Sequence, residues 1–350
     1  MHNLLNSHVI DVHCHPTDSH ISAESMEALE ITICAMSTRR EDQPLVRSLA
    51  LSYPDKVIPC FGYHPWFTHW ISLNSVVPQK EDHYRSLFLP ASERESQVLD
   101  ELLESLPNPI TIDDVLVDLR RNLEDFPNAM LGEVGLDRSF RVAHDYFASP
   151  RKLTPFSTPL EHQLAILNAQ IDVAIDLRRN ISLHSVKSQQ ATMDLLSTLQ
   201  AKYGDKWTRI SLDVHSCGFS PTMWKEIERK FSNVFLSLST GINSRSPSHR
   251  ALIEACSPDR VLVESDFHDI SMCTERTWDM LRTVADVKGW NLETEWVENV
   301  ADSDWGAVRL LERNWKKFRL GNHAPVASPK KNREKRTGLS DDEPSGDESG

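Results

Sequence analysis

The sequence lacks the features that mark membrane and secreted proteins. No apolar run in its 350 residues approaches the roughly 20 residues that a membrane-spanning helix needs, so we expect no membrane insertion. The first residues lack the basic flank and long apolar segment of a secretory signal. The six cysteines form no C-x-x-C pair, which favours reduced thiols over a zinc ribbon or a disulfide framework. We therefore expect a protein of the cytoplasm, the nucleus or both.

Positive charge is also scarce. The sequence carries 38 Lys and Arg against 51 Asp and Glu, a formal net charge of −13. Because phosphate contacts need Lys and Arg, this balance argues against a surface that wraps nucleic acid by bulk electrostatics. It does not exclude a nuclease, since cations bound in an active site can contact a phosphodiester while the rest of the surface stays acidic.

The sequence does contain residue types that bind metals, placed at the C-terminal ends of short apolar runs. Residues 8–15 end in His13 and His15, and a strand turns residues two apart to the same face, where both can bind one ion. Four further runs each end in a single such residue. The complete set is His13, His15, Glu133, His184, His215 and Asp266.

These runs also predict the fold class. Three more strand candidates, at residues 30–36, 56–62 and 233–238, bring the number of strands to eight. Helical spacing lies between them, most clearly over residues 159–178. Alternating strands and helices predict an α/β (β/α)8 TIM barrel, which gathers its chemistry at the C-terminal ends of the strands. Pro59 in the third strand does not fit a hydrogen-bonded ladder, since proline has no N–H to donate.

Two connections, residues 68–112 and 138–158, are longer than a barrel requires. Both follow strands and therefore lie at the barrel mouth, as a lid, a substrate wall, a surface for a protein partner or loops without a role. We assign the barrel to residues 1–321 and a disordered, charged tail to residues 322–350. The basic run at residues 330–336 is typical of a nuclear import signal.

The mixed nitrogen and oxygen ligand set suits zinc, manganese, cobalt or nickel, with magnesium favoured only where oxygen dominates. Six ligands exceed what one tetrahedral ion uses, so we predict two divalent ions with Glu133 as the bridge between them. One ion would be held by His13, His15 and Asp266, from strands that adjoin when the barrel closes. His184 and His215 would hold the other. Asp266 is also predicted to accept the proton of an activated water.

Three further residues are candidates for the same mouth. His64, in the segment Gly-Tyr-His-Pro after the third strand, is predicted to bind substrate phosphate and to contribute to catalysis. Arg245 is a second candidate for substrate phosphate. Asp137, four residues after Glu133, is predicted to orient the loop that follows the bridging glutamate.

At these residues the chain resembles the TatD family of metal-dependent deoxyribonucleases, within the amidohydrolase-like barrels. The resemblance runs from about residue 8 to about residue 320 and includes Asp-Val-His-Cys-His at 11–15, Gly-Glu-Val-Gly-Leu-Asp at 132–137 and Glu-Ser-Asp at 264–266. It implies a TIM barrel and divalent-metal-dependent hydrolysis of DNA, often exonucleolytic. DNA ends are the expected substrate, because an acidic surface without a basic groove favours short or frayed single strands over intact duplex. The mouth insertions exceed the common family length and resemble those of a eukaryotic, fungal branch.

Two other functions remain open. A related barrel hydrolase would act on an amide, an ester or a small phosphodiester, because the same metal-activated water serves all three. Glu133 stands where a carboxylated lysine would be needed, which weakens the amidase interpretation. A catalytically weak scaffold, acting through its insertions and tail, is the third interpretation, and the complete ligand set counts against it.

Overall fold

The computed structural model describes residues 4–146 and 148–326. Its strands are β1 (Ile10–Cys14), β2 (Thr32–Met36), β3 (Val57–Phe61), β4 (Ile71–Ser72), β5 (Ile110–Thr111), β6 (Met130–Asp137), β7 (Ile181–Val186), β8 (Leu212–Val214), β9 (Val234–Leu238) and β10 (Val261–Val263). The order in the main sheet is β1-β2-β3-β6-β7-β8-β9-β10, and every adjacent pair in it is parallel. The predicted eight-stranded barrel is confirmed.

The first and last strands meet and nearly close the barrel. Just beyond β10, the Asp266 amide donates to the His13 carbonyl at 2.9 Å, and the His15 amide donates to the Phe267 carbonyl at 2.8 Å. Pro59 fits within β3 because the ladder between β3 and β6 begins only at the next residue, Cys60. The missing proline N–H therefore falls outside that ladder.

Helices alternate with the barrel strands. They are α1 (Ala23–Ala28), α2 (Gln43–Ser52), α3 (Lys80–Phe88), α4 (Glu93–Ser105), α5 (Ile112–Asp125), α6 (Leu160–Leu177), α7 (Gln189–Tyr203), α8 (Asp205–Thr208), α9 (Pro221–Lys230), α10 (Thr240–Asn243), α11 (His249–Ala255), α12 (Ile270–Lys288) and α13 (Ala307–Leu320). Local sequence sets their ends. Ser220 caps the start of α9, where its hydroxyl accepts the Met223 amide at 3.2 Å, and Gly289 caps the end of α12 with a φ of +66°. Among the described residues, no helix is long and apolar enough to cross a membrane.

One end of the barrel is closed by α13. Its Trp315 and Phe318 pack against apolar side chains from six barrel strands, including Val12, Phe235 and Leu262. The Phe318 carbonyl accepts from Asn180 at 2.9 Å and from Ser211 at 2.7 Å, at the N-terminal ends of β7 and β8. The C-terminal ends of the strands are thereby left as the open end, where we expect the site.

The two long connections fold together over that open end. Between β3 and α5 the chain forms β4, α3, α4 and β5, and β4 pairs with β5 in a separate two-stranded sheet. Tyr84, Leu99 and Leu102 of this insertion form one apolar core with Val142 and Phe156 of the second insertion. We call residues 68–112 and 138–158 the cap. The cap has its own core and is packed structure rather than loose loops.

The end of the described chain lies against the barrel. His323 is buried, its amide donates to the Thr208 carbonyl at 2.7 Å, and its Nε2 lies 2.6 Å from the Ser211 hydroxyl. Residues 327–350 lie outside the described residues. The assignment of residues 322 and 323 to a disordered tail was wrong, because both are hydrogen-bonded to the barrel. The disorder of residues 327–350 and the import signal at residues 330–336 stay predictions.

Candidate metal centre

The predicted ligands converge at the open end of the barrel. His15, Glu133, His184, His215 and Asp266 line one cavity of about 360 Å³, and His64 lines it as well. His13 lies in contact with this group, with an exposed fraction of 0%. Residues more than 250 positions apart in sequence are thus brought into one buried cluster by the strand order.

Glu133 lies at the centre of the cluster, and its two carboxylate oxygens face different groups of imidazoles. Oε2 lies 3.2 Å from His15 Nε2 and 3.5 Å from His13 Nε2. Oε1 lies 2.7 Å from both His184 Nδ1 and His215 Nε2. A carboxylate placed in this way can contribute one oxygen to each of two neighbouring sites.

Asp266 lies on the His15 side of the cluster. Its Oδ1 is 3.6 Å from His15 Nε2, and its Oδ2 accepts the Ser216 hydroxyl at 2.9 Å. Asp266 therefore joins the group that contains His13 and His15, as the closure of the barrel between β1 and β10 requires.

A buried polar chain fixes the orientation of His13. The Ser182 hydroxyl donates to Asp213 Oδ2 at 2.9 Å. The Ser182 hydroxyl oxygen therefore accepts from His13 Nδ1, which lies 2.8 Å away. With Asp213 ionised, this network places the proton on Nδ1 and leaves the Nε2 lone pair for the cluster. Burial raises the pKa of the Asp213 carboxyl and Glu264 raises it further, while His215 and the Ser182 hydroxyl lower it.

His184 is oriented by Asp137. His184 Nε2 lies 3.4 Å from Asp137 Oδ2, which leaves Nδ1 to face Glu133 and His215. The other oxygen of Asp137 accepts the amide and hydroxyl of Ser139, both at 2.7 Å, and so anchors the start of the second insertion. Gly135 lets β6 approach β7 here, since a Cβ at that position would lie 2.0 Å from the His184 carbonyl oxygen.

His215 stacks on His13, with ring centroids 3.8 Å apart and planes 3° from parallel. Its Nδ1 has no hydrogen-bond partner, and the nearest carboxylate oxygen, from Glu264, is 3.8 Å away. Glu264 is itself fixed by the amide of Ser216 at 2.7 Å and by the hydroxyl of Ser237. Stacking therefore positions the His215 ring, and its Nε2 faces Glu133.

The electrostatics of the cluster favour positive charge. Burial raises the pKa of Glu133, but His64, His215 and His13 lower it more, so the carboxyl titrates well below its usual range. Burial lowers the pKa of His15, and the hydrogen bond to Glu133 outweighs this, raising the pKa to about 9. The pKa of His215 is also raised, because Glu133 outweighs the effect of burial. Bound protons supply the positive charge that the carboxylates require.

The donor set fits divalent metal ions. His13 Nε2 and His15 Nε2 lie 3.2 Å apart, and His184 Nδ1 and His215 Nε2 lie 3.1 Å apart. When the rings are neutral, each close pair of nitrogens points its lone pairs at the ionised Glu133 carboxylate. Only a proton or a cation between the nitrogens and the carboxylate makes that arrangement stable. Neutral imidazole and carboxylate are the ligands that zinc and manganese accept.

His64 lies beside Glu133, in a different role from the other histidines. Its Nδ1 accepts the Trp66 amide at 3.1 Å, which assigns the proton to Nε2, 3.1 Å from Glu133 Oε1. Burial lowers the pKa of His64 to about 4, so the ring is neutral at pH 7. With its Nε2 protonated, His64 is a hydrogen-bond donor at the cavity rather than a lone-pair ligand.

Arg245 is placed differently. It is exposed after α10 and does not line the cavity. Its predicted contact with substrate phosphate stays a prediction.

Several residues that complete the site were not predicted from the sequence. His13 is contacted by Ser182, which in turn bonds Asp213, and His215 lies near Glu264. The cavity wall includes Trp66 and Tyr146. Strand alternation contained a signal for two of them, because Asp213 and Glu264 each lie two residues before a predicted ligand and so share its face. No spacing rule connected Trp66 or Tyr146 to the site.

Known proteins of one family resemble this chain. The profile of the family described as TatD related DNase matches residues 10–302. The chain belongs to the TatD family. A relative from Schizosaccharomyces pombe, named Cut9-interacting protein scn1, is 30% identical over 325 residues, which cover 81% of this chain and 94% of that protein. An uncharacterized deoxyribonuclease from Saccharomyces cerevisiae is 26% identical over 271 residues, which cover 74% of this chain and 83% of that protein.

Solved TatD structures share the fold. YJJV, a TatD homolog from Escherichia coli, covers 91% of this chain and 99% of its own, with a TM-score of 0.55 and 17% identity. A TatD family hydrolase from Entamoeba histolytica gives a TM-score of 0.56 at 12% identity, covering 89% and 97% of the two chains. At these identities the likeness concerns the barrel alone. This TatD family hydrolase therefore joins the family barrel to a cluster of His, Glu and Asp side chains suited to metal.

Proposed function

We propose that this TatD family hydrolase is a deoxyribonuclease that cleaves the phosphodiester bonds of DNA with two divalent ions. Zinc, manganese and magnesium are the candidates. His13, His15, Glu133 and Asp266 would hold one ion, and Glu133, His184 and His215 the other. The division of the Glu133 carboxylate between two groups of imidazoles supports this proposal most strongly.

When bound, such ions activate a water and stabilise the charge on both oxygens of an in-line displacement at phosphorus. The protein supplies the remaining functions. Asp266, fixed by the Ser216 hydroxyl, accepts a proton from the water. His64, neutral and protonated at Nε2, lies at the cavity, where its N–H faces Glu133 Oε1 and a substrate oxygen would be the alternative acceptor. Asp213, acting through Ser182, keeps His13 in its binding tautomer.

We propose that the substrate is a DNA end, degraded exonucleolytically, rather than long duplex. None of the described residues that line the cavity is Lys or Arg. Phosphate recognition would then depend on the ions and a few hydrogen bonds, and single-stranded or frayed ends can enter such a cavity where intact duplex cannot. The logarithm of affinity should depend only weakly on the logarithm of salt concentration, because the slope scales with the number of ionic phosphate contacts.

One experiment tests the activity. Purified protein is incubated with zinc, manganese or magnesium and with labelled linear DNA, closed circular duplex, a chromogenic phosphodiester or a cyclic amide. We expect hydrolysis of linear DNA from its ends, and loss of both activity and one ion in Glu133→Gln. Hydrolysis of the amide alone would establish the alternative barrel hydrolase, and efficient internal cutting of circular duplex would contradict the exonuclease. Inactivity on every substrate would favour the scaffold.

A protein partner is a second proposal, favoured by the relative named for its interaction with Cut9. The connection between β4 and α3 exposes Leu73 by 47%, Val76 by 76% and Val77 by 50%, which gives the cap an apolar surface. We propose that a partner binds this surface. Loss of a co-purifying partner in a Val76→Asp, Val77→Asp double variant, with hydrolysis unchanged, is the expected result; retention of the partner would exclude the surface.

The location of the protein in the cell is also a proposal. We infer a cytoplasmic and nuclear distribution from the basic run at residues 330–336. Deleting that run should shift a fluorescently tagged chain toward the cytoplasm, and an unchanged distribution would show that the run is solvated linker.

A further inference from the structure

A second cavity, of about 590 Å³, adjoins the metal centre. It lies between the cap and the turn that follows β3, and we call it the aromatic cleft. Trp66, Phe67 and Tyr146 line both the cleft and the metal cavity, so one aromatic wall separates the two spaces. The Trp66 ring centroid lies 4.9 Å from that of His64 and 6.4 Å from that of His184. A group in the cleft would therefore lie directly beside the reacting phosphate.

The walls of the cleft present flat aromatic faces. Trp66 stacks on Phe140, with centroids 5.1 Å apart and planes 14° from parallel, and the Trp66 indole donates to Asp137 Oδ2 at 2.6 Å. Phe67 and Trp70 lie 4.8 Å apart on the same side. The indole hydrogen bond fixes the Trp66 ring, and the stack on Phe140 fixes it further. Rigid rings of this kind form a stacking platform for another planar group.

Two buried nitrogen atoms at the cleft lack partners. His69 Nδ1 and Trp70 Nε1 have no hydrogen-bond partner among the described residues, although His69 has an exposed fraction of only 3%. Burial lowers the pKa of His69 to about 3, so its ring is neutral at pH 7. The His69 and Trp70 ring centroids lie 5.6 Å apart, so the wall of the cleft holds two polar ring atoms that the described residues leave unpaired.

Charge in the cleft argues against a phosphate as its ligand. The cation at its rim, Arg39, lies 3.3 Å from Asp18 and 3.4 Å from Asp42, so carboxylates already neutralise it. Glu41 and Asp145 also line the cleft. The surroundings suit an uncharged planar ring and not an anion.

We propose that the aromatic cleft binds one unpaired nucleobase of the substrate, in the nucleotide next to the scissile phosphate. The inference rests on the proposed deoxyribonuclease function and deepens it, since it explains how an acidic protein without a basic track holds a single-stranded end. The base stacks against the aromatic rings of Trp66 and Trp70 that line the cleft. A duplex end must fray before its base can enter.

The test compares single-stranded oligonucleotides that carry either a normal base or an abasic residue beside the terminal scissile bond. For the full chain we expect kcat/KM to be roughly tenfold higher with the base, as base stacking on aromatic side chains usually provides. Trp70→Leu and Phe140→Leu should each reduce this ratio toward one. Trp305→Leu is the matched control: it removes a half-buried tryptophan that donates to the Val300 carbonyl at 3.2 Å, away from the cleft, and should leave the ratio unchanged.

A binding measurement separates this inference from the proposed function. An oligonucleotide with a terminal 2-aminopurine is added to full-length protein in EDTA, and stacking in the cleft should quench its fluorescence, less so in Trp70→Leu. Absence of DNA hydrolysis under every condition would overturn the proposed function while this quenching still decides the cleft. Hydrolysis with equal rates on base and abasic ends, or equal quenching by wild type and Trp70→Leu of matching thermal stability, would overturn the inference alone.

Discussion

The Nδ1 atom of His13 lies 2.8 Å from the hydroxyl oxygen of Ser182, and that hydroxyl donates to Asp213. The pair is fully buried, so no solvent molecule can replace the interaction. Because the proton on Nδ1 leaves Nε2 free to bind a cation, a serine on β7 determines whether a histidine on β1 is a ligand.

Ser182→Ala should therefore weaken metal binding about 10- to 100-fold, the usual cost of losing a group that orients a histidine ligand. Titration of metal-free protein with manganese or zinc, followed by calorimetry, measures the change. Ser197→Ala, which removes a helix hydroxyl bonded to the Met193 carbonyl, is the control. Equal affinities for wild type and Ser182→Ala would show that the tautomer of His13 is fixed in some other way.

His64→Ala should separate catalysis from metal binding. His64 carries its proton on Nε2 and so serves as a donor, and its removal should lower turnover by roughly 100-fold, as loss of a donor to a developing charge commonly does. Metal content, measured by elemental analysis, should be unchanged. The exposed His20→Ala serves as a control for loss of a histidine. Loss of an ion in His64→Ala would instead make His64 a ligand.

The sequence was sufficient to predict the barrel and the clustering of the six predicted ligands, because both follow from short-range patterns. Apolar runs mark the strands, and parallel strands place the residues at their C-terminal ends together. The interaction of Ser182 with His13 could not be predicted, since it depends on which side chains meet across the barrel interior. The proximity of Trp66 to Tyr146 depends on how the two insertions pack against each other. The core that the insertions share, which includes Tyr84 and Phe156, joins segments that no local pattern connects.

Metal binding should release protons at pH 7. In the metal-free protein, Glu133 and Asp266 raise the pKa of His15 to about 9, so this ring is charged at neutral pH and must lose its proton to become a ligand. The apparent affinity for metal should consequently rise as the pH increases from 7 to 9. Calorimetry in two buffers of different ionisation enthalpy counts the protons released. A pH-independent affinity across this range would contradict the charge that we assign to His15.

Stability should fall in mild acid through His323. Burial lowers the pKa of this histidine from 6.5 to about 4, with Arg260 and Lys317 lowering it further. The folded state therefore favours the neutral ring. The contribution of neutral His323 to the free energy of unfolding is fully present above pH 6.5 and is lost as the pH falls toward 4. Across that window wild type should lose about 1–3 kcal/mol more of its free energy of unfolding than His323→Gln. Parallel denaturation curves at each pH measure the difference, and coincident pH profiles would exclude His323 as a source of acid sensitivity.

The same contacts decide where the chain can be shortened. A chain that ends at Val326 keeps the His323 amide bonded to the Thr208 carbonyl and the ring against Ser211, so it should unfold at the wild-type temperature and keep its activity. A chain that ends at Asn322 loses both contacts. It also uncovers Phe235 of β9, whose ring centroid lies 5.5 Å from that of His323. Its unfolding temperature should be lower by a few degrees, because about 1 kcal/mol shifts the midpoint of a domain of this size by roughly 2 °C. Catalysis should survive in both chains, since α13 packs at the end of the barrel opposite the metal centre. Loss of hydrolysis in the chain ending at Val326 would show that the residues beyond it act at the site.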